Sequence, residues 1–530
     1  EPQSSGIGGG AFLLHHDGRL TEAYDGRETA PGEADENLFL DAQGQPLPFQ
    51  AAVHSGRSVG TPGVLRLLEV AHRQHGRLPW ARLFEPAITL AEQGFAVSPR
   101  LHALLLETPQ LKQDPVARAH YFDAQGQPWP VGHVLQNPEL AAVLRRIAAE
   151  GSSAFYTGEV AEALVRKVRE HPHSPGRLSL DDLAGYDVVV RTPLCFVYSA
   201  TRPQAVGGRA RDVRVCGMPP PSSGTLALGQ ILGLLRHTPA AQLQPQRGPQ
   251  GLRAGPDWLH LYTEASRLAF ADRALYAADP DYVPPPGPNW MSLLDEHYLA
   301  QRARLIGSDP GARRMHEAPP GIPAGVQHSL APMPAQPEYG TSHISIVDGQ
   351  GHALAMTSSI EAAWGARLMV NRGQGLAGGF LLNNQLTDFS FTPRSESGAP
   401  IANRVEPRKR PRSSMTPLLV FERPRGEFLL SGGSPGGAYI IHYTTKLLYA
   451  TLHWGLDVQQ AIDLPNFASF GGPVLLEQGG FPATTVQALQ ARGHPVREQP
   501  LTSGLQAIEV RGPGLYGGAD PRREGVVRGD

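Results

Sequence analysis

Gly340 and Thr341 form the pair in this chain whose types and placement could do chemistry with the least help from elsewhere. They follow a stretch, Pro319 to Pro337, that carries six prolines and ends in Glu338-Tyr339-Gly340. Proline removes backbone donors and blocks helix propagation, so the stretch reads as an extended, mobile linker. The pattern then changes. Residues 341–347 alternate as a strand, Asp348-Gly349-Gln350-Gly351 reads as a hairpin turn, and residues 352–359 read as the returning strand. If the bond between Gly340 and Thr341 is cut, Thr341 gains a free α-amine. Such an amine has an ordinary pKa of roughly 7.7–8.0, so near neutral pH a good part of it is unprotonated. It can then take the proton from its own hydroxyl, and one residue supplies both nucleophile and base. Gly340 has no side chain, which leaves its carbonyl open to attack. The plainer account of a Gly-Thr pair is a turn that ends where a strand begins.

A second feature is the run Ser431-Gly432-Gly433-Ser434-Pro435-Gly436-Gly437, between a predicted strand at 427–430 and an apolar helix predicted over 438–454. Backbone N–H groups at a helix start point outward and favour negative charge. Gly436 and Gly437 would let a substrate approach closely and could form an oxyanion hole. A tight strand-to-helix turn would use the same residues. The run also fits the G-x-S-x-G nucleophile elbow, with His442, His453, His494, Asp457 and Asp463 downstream. An elbow needs the N–H of the residue after its serine, and here that residue is Pro435, which has none. His15-His16 and the pair His171 and His173 are too isolated to bind metal, and no HExxH motif is present, so neither a metal nor a cofactor is expected. The run Arg408-Lys409-Arg410-Pro411-Arg412 reads as a solvated basic loop, with anion binding as its alternative.

These residues need a scaffold, and the chain is long enough to build one with more than one hydrophobic layer. Of its 530 residues 41% are hydrophobic and 18% charged, in the range of soluble globular proteins. A net charge of −2 suggests neither a nucleic-acid partner nor an anionic membrane surface. No apolar run reaches the ~18 residues of a spanning helix. Apolar spacing predicts helices over 64–75, 82–93, 138–150 and 257–278. The stripe Trp258, Leu261, Tyr262, Ala265, Leu268 and Ala269 on the last is expected to be core. Cys195 and Cys216 are the only cysteines; one bridge between them is open, and with it the redox compartment. The chain begins inside a glycine-rich motif, Ser5-Gly6-Ile7-Gly8-Gly9-Gly10, so an upstream segment is expected to be missing.

Together the motifs resemble the γ-glutamyltranspeptidase family, in family order and across essentially the whole chain. SSGIGGG at 4–10, DGRETAP at 25–31, MPPPSSG at 218–224 and EASRLAFADR at 264–273 are similar to segments of its large subunit. Thr341-Ser342-His343 with ISIVD, LLNNQLTDFS at 381–390, RPRSSMTP at 410–417 and GSPGG at 433–437 are similar to its small subunit. The resemblance implies an α/β, four-layer αββα N-terminal-nucleophile hydrolase, made as a proenzyme and cut into residues 1–340 and 341–530, with a linker at about 318–340. It implies Thr341 as processing and catalytic nucleophile, Ser359 supporting its hydroxyl, and Gly436 and Gly437 as the oxyanion hole. By the same carry-over Arg27, Ser413 and Ser414 hold the substrate α-carboxylate, and Gln385 and Asp388 hold its α-ammonium. The implied reaction is release of an amine from a γ-glutamyl amide such as glutathione, through a Thr341 ester that passes to water, an amino acid or a peptide. The partners implied are that small-molecule substrate and the two subunits of one precursor, in a periplasmic or secreted setting.

Several residues depart from the family pattern. Glu361 stands where better-known members have Asn near the substrate amine, and Ser359 and Ser342 stand where they have Thr. Residues 389–413 form a short segment without Tyr, where several members have a longer lid, which leads to the expectation that hydrolysis exceeds transfer. Glu361 and the open lid favour an alternative, a cephalosporin- or glutaryl-acylase type of amidase. An uncut, non-enzymatic ligand-binding member is the third reading. Residues 198–212 look like an insertion between the cysteines.

Overall fold

The alternation along residues 10–16 already contains the architecture. Ala11 and Leu13 point to one side and Phe12 and Leu14 to the other, and all four are buried. A strand buried on both faces must lie between two covering layers. The computed structural model describes residues 2–201, 211–249, 251–326, 329–371 and 377–529. Its principal strands are β1 (Gly10–His16), β2 (Thr21–Gly26), β3 (Val189–Arg191), β4 (Leu194–Ala200), β5 (Arg211–Gly217), β6 (Ser342–Val347), β7 (Ala353–Ser359), β8 (Leu418–Glu422), β9 (Phe428–Gly433), β10 (Gln506–Arg511) and β11 (Gly514–Ala519). They form a five-stranded sheet in the order β6-β7-β1-β2-β3 and a six-stranded sheet in the order β11-β10-β9-β8-β5-β4. Every neighbouring pair in both is antiparallel.

The two sheets pack face to face. Phe12, Leu14, Ala353 and Ala355 of the first meet Cys216, Leu419 and Phe421 of the second. The opposite face of the first sheet, with Ala11, Leu13 and Tyr24, packs against the helices Val64–His75, Pro138–Glu150 and Gly158–Arg169. The outer face of the second packs against the helices Gly224–Arg236, Pro256–Tyr276 and Tyr439–Leu452. The result is the four-layer αββα sandwich of the N-terminal-nucleophile hydrolases. None of the described helices is long and apolar enough to cross a membrane.

Most predicted elements form where the spacing puts them, and the differences have physical causes. The helix expected over 82–93 is a short 3-10 turn, Trp80–Phe84, followed by a helix from Glu85 to Gln93. Pro86 cannot donate inside a helix but is welcome in its first turn, so it starts a new one. Cys195 and Cys216 face each other across β4 and β5 and are joined by a disulfide. The insertion predicted at 198–212 falls largely on residues 202–210, outside the described residues.

Two expectations are corrected. The run at 408–412 is not a solvated loop: Lys409, Arg410 and Arg412 are all buried. Each is tied to fixed oxygens. Lys409 reaches the Ala402 carbonyl and Glu406, Arg410 the Asp187 carbonyl and Asp25, and Arg412 reaches Glu338. Nor is the end of the linker free. The Met333 N–H bonds the Ala274 carbonyl at 2.8 Å, and Gln336 Nε2 bonds the carbonyls of Thr387 and Phe389 at 2.7 and 2.9 Å.

Candidate active site

Thr341 lies immediately before β6, the edge strand paired with β7, and that pairing carries it to the end of β7 where Ser359 sits. Thr341 Oγ1 donates to Ser359 Oγ at 3.2 Å, and Ser359 Oγ also accepts the Glu361 N–H at 2.9 Å. With its hydroxyl hydrogen engaged, Thr341 Oγ1 has lone pairs to offer. The Thr341 backbone is forced to φ 93°. For a β-branched residue that region is a genuine outlier, worth about 1–3 kcal/mol of strain. The strain sits on the residue that follows the Gly340–Thr341 peptide.

The other side of that peptide meets the glycine turn. The Gly436 N–H donates to the Gly340 carbonyl at 2.9 Å. Gly436 and Gly437 have φ 134° and 56°, and a Cβ on Gly437 would lie 2.2 Å from the Glu338 carbonyl oxygen. A Cβ on Gly340 would fall 1.4 Å from the Glu361 carbonyl oxygen. Linker, turn and strand end therefore interlock backbone to backbone. An N–H donor on a carbonyl oxygen, with a hydroxyl on the next residue, is the arrangement that lets an oxygen nucleophile add to that carbonyl while its developing charge is held.

Glu338, three residues before Thr341, is the best-held carboxylate of the region. Arg273 Nη2 donates to it at 2.7 Å, Arg412 Nη2 approaches to 3.4 Å, and the Ser414 hydroxyl donates to its other oxygen. Arg273 also donates from Nη2 to Ser414 Oγ at 2.5 Å and from Nε to Ser223 Oγ at 2.8 Å. Burial alone would raise the Glu338 carboxyl, but Arg273 and Arg412 outweigh it and hold it down at about 2. Burial and the neighbouring Arg273 lower Arg412 to about 10.

Arg27 belongs to a different assembly. It is fully buried, donating from Nη2 to Asp388 Oδ2 at 2.5 Å and to the Arg412 carbonyl at 2.8 Å, and from Nε to the Pro411 carbonyl at 3.1 Å. Its Nη1 lies 3.7 Å from Glu28, which burial raises to about 8 against the pull of Arg27. Gln385 Nε2 donates to the same Asp388 oxygen at 2.9 Å. The remaining oxygens, Gln385 Oε1 and Asp388 Oδ1, are buried acceptors without a hydrogen-bond partner. Burial raises Asp388 in spite of Arg27.

Glu361 completes the group. It is buried with a left-handed backbone, φ 73°; Oε1 accepts the Tyr339 N–H at 2.8 Å and Oε2 accepts from Asn384 Nδ2 at 2.5 Å. Burial, and then the charge of Asp388, raise its carboxyl well above the usual range. Ser413 Oγ accepts the Met415 N–H at 3.1 Å, and its carbonyl accepts from Ser223. The structure thus gathers Gly340, Thr341, Ser359, Glu361, Gly436 and Gly437 at one junction, and Arg27, Gln385 and Asp388 in a cluster that reaches the linker through Arg412, whose carbonyl accepts from Arg27 and whose guanidinium meets Glu338.

Sequence reasoning missed Glu338, Arg273 and Asn384, and named Arg412 only within the basic run whose alternative reading was anion binding. Arg273 lies in the quoted EASRLAFADR segment, but its partner is 65 positions away. The elbow histidines are spent elsewhere: His442 bonds the Tyr262 hydroxyl and His494 bonds His260, while Ser434 Oγ donates to the Pro435 carbonyl. His15, read as isolated, lies with Glu22 and His75, their ligand atoms all within 4.8 Å. There the two imidazoles lie 3.9 Å apart at a 30° tilt, and His75 Nε2 already meets Glu22 and Tyr24.

A family model described as Gamma-glutamyltranspeptidase matches residues 1–529. The chain is 31% identical to a glutathione hydrolase proenzyme of Bacillus subtilis (strain 168), covering 100% of this chain and 85% of that protein. It is 32% identical to a glutathione hydrolase proenzyme of Escherichia coli (strain K12), covering 98% and 83%. A crystal structure of a cephalosporin acylase from Bacillus halodurans superimposes with a TM-score of 0.79 at 25% identity, covering 100% of this chain and 88% of that one.

Proposed function

The chain belongs to the gamma-glutamyltranspeptidase family, and on that premise we propose that it is a precursor that cuts itself between Gly340 and Thr341 and then uses Thr341 to hydrolyse γ-glutamyl amides such as glutathione. It is an enzyme of the γ-glutamyltransferase and glutathione hydrolase kind. Two pieces are expected, residues 1–340 and 341–530. The observation that carries the reading is the junction itself: the Gly340 carbonyl rests on the Gly436 N–H at 2.9 Å, beside a strained Thr341 whose hydroxyl is aimed by Ser359.

In the first step Thr341 Oγ1 adds to the Gly340 carbonyl carbon. The new C–O bond forms, the C–N bond breaks, and the hydroxyl proton ends on the departing Thr341 nitrogen. Water then hydrolyses the Gly340–Thr341 ester and leaves a Gly340 carboxylate and a free Thr341 amine. In the mature enzyme that amine takes the Thr341 hydroxyl proton as Oγ1 attacks the γ-carbonyl of the substrate, and returns it to the leaving amine. Gly436 N–H, with Gly437 beside it, holds the oxyanion in both reactions. Gln385 Oε1 and Asp388 Oδ1, two buried acceptors with nothing to accept from, suit the N–H donors of an α-ammonium. Intact mass spectrometry of the protein beside Thr341→Ala tests the reading. Two pieces meeting at Gly340 and Thr341, absent in the variant, are expected; an uncut wild-type chain sinks it.

Glu361 supports one rival, an amidase that removes acyl groups without an α-amine. A buried carboxyl at that position, raised well above the usual carboxylate range, suits a glutaryl chain as well as a glutamyl one. Rates on γ-glutamyl-p-nitroanilide and glutaryl-p-nitroanilide decide between them. We expect the glutamyl amide to be preferred because the Asp388 and Gln385 acceptors are matched only by an ammonium; equal or faster glutaryl cleavage would favour the acylase.

A further inference from the structure

At the end of the first sheet away from Thr341, polar side chains meet that carry more lone pairs than hydrogens. His15 on β1 stands directly opposite Glu22 on β2, and Tyr24 follows two residues along the same face of β2. The helix Val64–His75 packs over that face and brings Gln74 and His75 to it in its last turn. Along the chain His15 and His75 are far apart. Sheet register and the helix end bring the ligand atoms of His15, Glu22 and His75 within 4.8 Å of one another.

The hydrogen bonds available do not satisfy this group. His75 Nε2 lies 2.9 Å from Glu22 Oε2 and 2.8 Å from the Tyr24 hydroxyl oxygen. A ring nitrogen offers either one hydrogen or one lone pair, so one of the two contacts is shared or unmade. The Tyr24 hydroxyl has a single hydrogen and three acceptors around it: Glu22 Oε2 at 3.1 Å, Gln74 Oε1 and His75 Nε2. His15 Nδ1 is buried without a hydrogen-bond partner. Among the described residues no Lys or Arg pairs with Glu22. A cation supplies what the missing hydrogens do not, and the Glu22 and His75 side chains, 26% and 24% exposed, leave it a way in.

We propose that His15, Glu22 and His75 form a binding site for a divalent transition ion of the zinc class, with water as its fourth ligand. Two imidazoles and a carboxylate are ligand types such an ion takes in tetrahedral geometry, whereas calcium and magnesium take oxygen shells. A tetrahedral ion bonded at about 2.0–2.1 Å spaces its ligand atoms roughly 3.4 Å apart, so small side-chain turns close the triad on it. The ion replaces the hydrogen disputed between His75 and Glu22 and engages the idle lone pair of His15. His352, its ring 6.3 Å from that of His15, is already bonded to Asp348 and stays outside the set. Ser359 pairs with Gly10 at the other end of β1, about 17 Å from His15 at the rise of a strand. The ion is therefore a staple that ties β1 and β2 to the end of a helix, and it holds whether or not Thr341 cuts the chain.

The test uses the full chain, untagged, stripped with a chelator and dialysed. Calorimetric titration with Zn²⁺ should show one ion bound per wild-type chain, and Co²⁺ in its place should give the intense visible absorption of a tetrahedral site. His15→Ala, Glu22→Ala and His75→Ala should each bind Zn²⁺ at least about a hundredfold more weakly, since even an outer-shell partner is worth 10- to 100-fold. His316→Ala, at an exposed histidine elsewhere, should bind as wild type does. Saturating Zn²⁺ should raise the melting temperature of wild type and not that of the three site variants, because an ion that binds only the folded chain stabilises it. Melts without metal identify any variant that has not folded, and the remaining two carry the comparison. No binding by wild type, or weak binding at several places that all three variants retain, would overturn the inference.

Discussion

Two buried arginine–carboxylate assemblies stand within one site, and they differ in what happens to the carboxylate. Arg27 with Asp388 and Glu28 joins β2's end to the short turn Gln385–Asp388, neither of which belongs to the linker. Arg273 and Arg412 hold Glu338, which sits on the linker two residues before Gly340 of the Gly340–Thr341 peptide. The first assembly is closed on itself and belongs to the framework. The second holds a side chain of the linker itself, through Arg273, Arg412 and the Ser414 hydroxyl. Burying an ion pair contributes little net stability, but leaving one partner buried alone is costly. The framework pair is therefore fixed by what its removal would expose, whereas Glu338 shares three donors and keeps two when Arg273 is removed.

The largest effect should come from breaking the framework. Arg27→Leu strands Asp388 and Glu28 in the interior without a cation and should cost about 3–5 kcal/mol. The counterpart, Arg273→Leu, leaves Arg412 and the Ser414 hydroxyl still facing Glu338, so that carboxylate keeps a cation and a donor. It should cost clearly less. Urea unfolding of both variants in a Thr341→Ala background, where the chain stays uncut, measures the difference. Equal costs would mean that Glu338 is as much a part of the framework as Asp388.

A smaller effect is expected in catalysis and separates the two arginines by kind. A residue that grips the substrate carboxylate equally before and during reaction changes KM and leaves kcat alone. Arg27→Lys keeps the charge but loses the fork, with its partnerless Nη1, and should raise KM for γ-glutamyl-p-nitroanilide by about tenfold, the scale of one weakened charge-assisted bond. Steady-state kinetics on the matured variant reads the split. A fall in kcat at unchanged KM would place Arg27 with the reacting atoms, and an unchanged KM and kcat would take the carboxylate away from Arg27.

The contrast between the assemblies also marks what was legible in the sequence. The junction could be read because its signals are local: proline punctuation, a change to period-two alternation at 341–359, and a glycine turn between strand and helix. The helices at 64–75 and 138–150 could be read for the same reason. The charged groups could not. Glu338 looks like the polar end of a loop, and the run at 408–412 looks solvated, because what neutralises each lies far off in sequence. Arg27 and Asp388 are 361 positions apart, and Glu338 and Arg412 are 74 apart. On Pro256–Tyr276 the predicted apolar stripe is core, but the faces carrying Glu264, Arg267, Asp272 and Arg273 are buried as well. A single apolar stripe leads one to expect a solvated far side. Here that side is buried in ion pairs: Glu264 with Arg267, Asp272 with Arg302, and Arg273 with Glu338.

The smallest expected effect lies in pH, and it sharpens the contrast within the linker's own surroundings. Glu338 and Glu361 hold the junction from two sides, yet their carboxyls are shifted in opposite directions. Glu338, held at about 2 by its arginines, contributes stability that is present above the ordinary value of about 4.3 and is lost as pH falls through that range toward 2. Glu361 is raised by burial and by Asp388, so above about 4.3 the folded chain keeps a proton that the unfolded chain has released. Its contribution therefore falls as pH rises, by at most about 1.4 kcal/mol per pH unit, until its folded value is passed. Glu361→Gln removes that slope. The variant also loses the bond from Asn384, which its amide nitrogen cannot accept, but that loss is the same at every pH. In a Thr341→Ala background the melting temperature of Glu361→Gln minus that of the parent should rise from pH 5 to pH 6, whatever its starting sign. A flat difference would mean that Glu361 is ionised in the precursor, and that the cation needed to balance it comes from Arg27 or Arg412, which would join the two assemblies into one.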